Sequence, residues 1–261
     1  MQTGIDEATL NTPSDERRSR PVLLLAVWAL ALVVLAALAP ALQNALGVPF
    51  ELLSLVMLAP ALASLVAVVR PSWMPSWWVR VPSGHVLTVT AAAALAAIIF
   101  VATLALLTGR LPSWNGPGFG SPLWLFLMLQ TVGVLGEELG WRGVVQRAGE
   151  QLARPAIVSA IAGLLFGATH LGYWSLGPLP VITFAVTAAL MSLTITTLFE
   201  GTLWQRMIPA VVVHLGVNLG VASLADTDEP LATTLPALAA AAIMLMSALI
   251  VKGIIRRRKQ S

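Results

Sequence analysis

PLWLFLMLQTVGVLGEELGWRG, residues 122–143, opens as membrane-grade apolar sequence and ends on two adjacent glutamates and an arginine. Its apolar part sets the fold class, because comparable runs recur along the whole chain. Of 261 residues, 57% are hydrophobic and only 10% charged, with a mean hydropathy of +0.86. That apolar content exceeds what the core of a soluble domain of this length requires. Runs long enough to cross a bilayer fall near residues 21–43, 49–69, 86–108, 122–139, 155–171, 178–199, 207–225 and 231–253. The chain therefore reads as an all-α polytopic membrane helix bundle of about eight transmembrane helices. A closed barrel would show alternation instead of continuous apolar runs.

The domain reading is a polar tail over residues 1–20, a transmembrane domain over 21–253 and a basic tail over 254–261. The first apolar run is longer than a cleaved signal segment, so it is read as an uncleaved helix. With the amino terminus inside, fourteen of the fifteen Lys and Arg residues fall on inner segments and Arg110 alone falls outside. This bias predicts a multi-pass plasma-membrane protein with both termini cytoplasmic. The terminal IIRRRKQS suits contact with anionic headgroups of the lipid bilayer, and no nucleic-acid partner is expected. Trp73, Trp77 and Trp78, in the loop between the second and third runs, read as an interfacial aromatic belt. The absence of cysteine excludes disulfides and thiolate chemistry. Nothing in the sequence fixes the oligomeric state.

A charge near the middle of a spanning helix costs about 2.5–3.5 kcal/mol on insertion scales, so each one needs a partner or a wet cavity. Glu51, Glu200 and His85 can reach the interface. Glu138 and Arg142 are four apart and can pair on one helix face, while Glu137 is rotated by roughly 100° and is free to face elsewhere. Phe166 and His170 repeat the four-residue spacing, as do His214 and Asn218. Small residues flank each edge: Gly133, Gly136, Gly140 and Gly143, then Gly163 and Gly167, then Gly216 and Gly220. Such residues let membrane helices approach closely, which predicts that the three polar edges gather into one intramembrane site.

Three chemistries suit that set. A carboxylate and imidazoles can activate water, with amide and imidazole N–H groups stabilising an oxyanion. Glu137, His170 and His214 could instead ligate a catalytic zinc ion. A proton relay in a transporter is the third, and a non-catalytic membrane immunity factor is a further alternative. A transporter is expected to show a repeat or matched broken helices in two halves, and none is visible.

EELGWR (137–142), FGATH (166–170) and HLGVN (214–218) resemble the EExxxR, FxxxH and HxxxN motifs of the CAAX prenyl endopeptidase and bacteriocin-processing (Abi) family. The resemblance covers residues 122–225. It implies an intramembrane endopeptidase acting on a membrane-associated or lipidated peptide or protein, with or without a metal. Glu137 and His170 would activate water, and His214 and Asn218 would stabilise the oxyanion. Glu138 and Arg142 would support the site and Phe166 would shape its wall.

One conflict of depth follows from helix geometry. If a span starts at Arg154, His170 lies about 24 Å along it, far from Glu137. The amphipathic segment 143–154 is expected to lie at the membrane surface, and the site to open toward the cytoplasm.

Overall fold

The computed structural model describes residues 13–75, 79–113, 121–224 and 231–258. Among these, every regular element is helical: α1 (Pro13–Leu46), α2 (Ala59–Ala63), α3 (Leu65–Val69), α4 (Ser83–Thr108), α5 (Leu123–Glu138), α6 (Arg147–Gly149), α7 (Pro155–Ala168), α8 (Pro178–Leu198), α9 (Leu203–Leu224) and α10 (Leu231–Arg258). Six helical stretches are long and apolar enough to cross a membrane, which makes the chain a multi-pass helical bundle. The expected runs at 49–69 and 155–171 appear as two shorter apolar stretches, Leu55–Val69 and Pro155–Ala168. The first is interrupted because Pro60 withholds a backbone N–H and the Ser64 hydroxyl bonds back to the Pro60 carbonyl at 2.8 Å. Residues 77 and 78 of the predicted aromatic belt, and the acidic stretch ADTDEP at 225–230, lie outside the described residues; Trp73 packs against the core. The basic tail read from residue 254 is helical as far as Arg258.

The expected span 122–139 runs ten residues further. A π-helix, Leu139–Gln146, follows α5 without a break and passes into α6. Segment 143–154 therefore does not lie on the surface as a whole. Its first part is interior, with Val144, Gln146, Arg147 and Ala148 buried. Gln146 donates to Glu150 at 2.8 Å and to the Pro155 carbonyl at 3.1 Å, while Arg147 donates to the Pro75 carbonyl at 2.7 Å. These polar ends have partners inside the bundle, so they do not need the interface. The extension also removes the depth conflict. The chain descends about 18 Å from Glu137 to Gly149 and climbs back about 22 Å from Pro155 to His170, at 1.5 Å per residue.

Close backbone approaches set the packing. A Cβ on Gly163 would stand 2.5 Å from Ala189 Cα, and one on Gly167 would stand 2.4 Å from Ala185 Cα, so α7 lies directly on α8. Ser159, Ser192 and Thr196 join the same two helices through hydroxyl bonds of 2.8–2.9 Å. Gly216 abuts Ala97 of α4, while Gly136 and Gly140 abut the Met57–Pro60 backbone. These glycines thus press the motif helices onto supporting helices, whereas Gly143 faces Leu203 of the motif helix α9. On α9 the reason is angular: Gly216 is two residues, roughly 200°, from His214. Leu30 and Val33 of α1, Leu106 of α4 and Ile250 of α10 are exposed, which gives the exterior its lipid-compatible surface.

At the end of the bundle that carries the basic residues, His85 and Glu200 are not isolated interfacial groups. His85 Nε2 lies 2.5 Å from one Glu200 oxygen, and Lys252 Nζ lies 3.7 Å from the other. Lys252 also donates to the Thr197 carbonyl. Arg206 donates to the Gly201 carbonyl at 2.7 Å and sits 4.6 Å over the Phe199 ring. Side chains from α4, α9, α10 and the turn after α8 are therefore tied together here. Sequence distance hides the arrangement, since His85 and Glu200 are 115 residues apart.

Candidate active site

The EExxxR motif straddles the junction of α5 and the π-helix. Glu137 is 5% exposed, and Glu138 and Arg142 are 0% and 1% exposed. As the four-residue spacing predicts, Arg142 Nε stands 3.3 Å from Glu138 Oε2. The other Glu138 oxygen meets His214 Nδ1 at 2.7 Å. An ionised carboxylate beside a guanidinium can only accept, so Nδ1–H is the donor. Glu138 thereby fixes the imidazole plane and turns Nε2 toward Glu137, whose Oε2 is 3.6 Å away. Adjacent glutamates about 100° apart can reach the two nitrogens of one ring because α9 packs directly on α5.

His170 follows α7, and its Nδ1 lies 2.8 Å from the Phe166 carbonyl. A carbonyl cannot donate, so the proton resides on Nδ1 and Nε2 keeps its lone pair. Phe166 stands between the two histidines, edge-to-face with both: its ring is 4.7 Å from His170 and 5.4 Å from His214. Behind Phe166, Trp141 packs edge-on at 5.8 Å and Trp28 of α1 packs on Trp141 at 5.1 Å. The Trp28 indole donates to Ser64 at 3.0 Å. An aromatic column therefore runs from the outer helices to the imidazoles.

Glu137, Phe166, His170, His214 and Asn218 all line one cavity of about 630 Å³. Glu138 and Arg142 do not line it and stand behind it. The structure thus gathers the sequence-predicted residues into a cavity-facing set and a supporting pair. Phe184, Met191, Val217 and Val221 make the walls largely apolar. The cavity reaches Phe50, Glu51 and Leu176, all exposed, and these follow α1 or precede α8. Its mouth is consequently at the end remote from Arg20, Arg206 and Lys252, not at the basic end as expected. The motif glutamates and His214 sit within their helices and His170 just past the end of α7, and the buried Gln146 and Arg147 close the bundle below them.

The fit to a metal is poor in this arrangement. Among the described residues, no group of three or more His, Cys, Asp and Glu side chains is placed to hold an ion. Glu137 and His214 Nε2 meet as a pair, and His214 Nδ1 is already engaged by Glu138. No chemical step below is routed through a metal.

Residues 119–220 match the family described as type II CAAX prenyl endopeptidase, Rce1-like. This segment is similar to that family. The match holds all three motifs and covers about two fifths of the 261-residue chain. No curated protein matches the chain. The similarity supports a general class, an intramembrane protease of the CAAX type.

Sequence reasoning did not identify the rest of the cavity wall. Gln130 had a usable signal as an amide in an apolar run, and it donates to the Leu52 carbonyl at 3.0 Å. Tyr173, Phe184, Thr187, Thr233 and Thr234 had none, because they come from separate elements and look like ordinary helix or loop residues.

Proposed function

We propose that the protein is a multi-pass plasma-membrane endopeptidase that hydrolyses a peptide bond of a membrane-associated substrate with a Glu137-activated water. The observation that carries this reading is the carboxylate–imidazole–carboxylate contact, Glu138–His214–Glu137, opening on a cavity that His170 and Asn218 also line. A buried Glu–Arg pair is well suited to hold one imidazole orientation while a second glutamate stays free for chemistry.

In the proposed cycle, Glu137 takes a proton from water while the water oxygen attacks the scissile carbonyl carbon. The Nε2 lone pair of His170 accepts the water's second hydrogen and orients it. Negative charge then develops on the former carbonyl oxygen. The Asn218 amide faces that charge, and His214, held by Glu138, is the other polar group beside it. The C–N bond breaks as Glu137 returns its proton to the leaving amine. Water is consumed, and an acid and an amine are released.

With the basic ends in the cytoplasm, the mouth opens on the opposite side of the membrane. A proton-relay transporter is disfavoured because the cavity closes toward the basic end on Gln146 and Arg147, whose buried side chains hold backbone carbonyls. The test is cleavage of a peptide panel by the purified protein in lipid nanodiscs, with and without chelator. Cleavage by the wild type that is lost in Glu137→Gln supports the reading, and no cleavage of any peptide overturns it. Loss of activity with chelator, restored by zinc, would replace the metal-free route with the zinc alternative.

A further inference from the structure

The cavity has an acidic lip. Glu51 lines its mouth, is exposed, and forms no ion pair with any described residue. No Lys or Arg lines the cavity. The stretch carrying Glu51 is held from two sides. The buried Gln43 amide donates to the carbonyls of Val48 and Leu53, at 3.2 and 3.0 Å, and its oxygen accepts from Leu55 N at 2.9 Å. On the other side, Gln130 of α5 holds the Leu52 carbonyl. Two glutamine amides therefore fix the backbone on both sides of a carboxylate that has no ion-pair partner among the described residues. Thr234 of α10 lines the same cavity, is 7% exposed, and its hydroxyl has no hydrogen-bond partner.

Depth can be read along α5. Gln130 marks the level of the lip and Glu137 the level of the chemistry, seven residues apart, or about 10 Å at 1.5 Å per residue. An extended peptide covers that distance in about three residues at roughly 3.3 Å each. The wall between the two levels is apolar, formed by Val56, Met57 and Val221 among others.

We propose that Glu51, in the cavity that the unpartnered Thr234 hydroxyl also lines, is a cation-recognising subsite that selects peptides carrying Lys or Arg about three residues from the scissile bond, with apolar residues between. The inference rests on the endopeptidase reading for its register but not for its existence. A single exposed ion pair discriminates modestly, by about fivefold or less.

The test uses the full chain in nanodiscs and fluorescent Ala/Leu decapeptides, one neutral and the others with a single lysine at each successive position. Binding is measured on Glu137→Gln, with and without Glu51→Gln or Glu51→Lys, and cleavage on the same backgrounds with Glu137 intact. Thermal unfolding of each variant confirms the fold, and Glu51→Gln serves if Glu51→Lys fails to fold. The expected result is about fivefold tighter binding at one lysine register, lost in Glu51→Gln and inverted in favour of glutamate-bearing peptides in Glu51→Lys. In the cleaved products of the wild type, the favoured lysine should lie about three residues from the cut. Equal binding of neutral and lysine peptides, or a preference that survives both substitutions, overturns the subsite. A preference that obeys Glu51 in a protein that cuts nothing keeps the subsite and removes the protease.

Discussion

Two polar clusters occupy this bundle, and they are built in opposite ways. At the basic end, Arg147, Arg206 and Lys252 each donate to a backbone carbonyl, and Glu200 is met by both His85 and Lys252. Each of those groups has at least one partner supplied by the fold. In the membrane interior, Glu137 Oε2 is buried with no hydrogen-bond partner, and the nearby His170 keeps one ring nitrogen uncommitted. Its ionic contact is His214 Nε2 at 3.6 Å, and a buried carboxylate left without a hydrogen bond costs free energy that packing alone gives no reason to bear. The contrast separates polar residues that close a structure from polar residues held ready for a reaction.

The comparison breaks most sharply at Glu137. Glu137→Gln should lower turnover by about 10²–10⁴-fold, the range of a lost general base, with no loss of thermal stability. Glu200→Gln, also a carboxylate-to-amide change, should leave turnover within about threefold; similar losses from the two would end the distinction. Arg142→Met comes next. Removing one member of a buried pair should cost about 3–5 kcal/mol in unfolding, measured by thermal or denaturant melting in detergent. Asn218→Ala should reduce kcat by about 10²–10³-fold with KM little changed, as for a lost oxyanion donor. Gly167→Val, against the Ala185 backbone, should destabilise by about 1–3 kcal/mol through overpacking while leaving the survivors' kcat near normal. Glu200→Gln itself should cost less than about 1 kcal/mol, because Glu200 is partly exposed.

The fold class was legible from hydropathy alone, since continuous apolar runs leave few alternatives. The Glu138–Arg142 pair was legible as well, because four-residue spacing is a local property. What the local pattern does not carry is the destination of each face. Nothing near Gly163 or Gly167 says that α8 will lie on them. Nothing near His85 names Glu200. The helical continuation through residues 139–149 was masked by its own glycines and charges, which resemble the end of a span. Gln146 and Arg147 look amphipathic until the carbonyls of Pro155 and Pro75 are brought to them by the fold. The same non-locality explains why the lip residue Glu51 passed for an ordinary interfacial charge.

The π-helix at Leu139–Gln146 gives the motif segment an angular offset. A wider turn inserts rotation without ending the helix, as π segments at functional sites commonly do. Upstream of the offset, the helix is phased so that two glutamates address one imidazole. Downstream, it is phased so that Arg147 addresses the loop at Pro75. A regular α-helix of the same residues could satisfy one phase or the other. The offset therefore decouples the two ends of a single rod, so that substitutions can retune the closed end of the bundle without turning the glutamates away from His214.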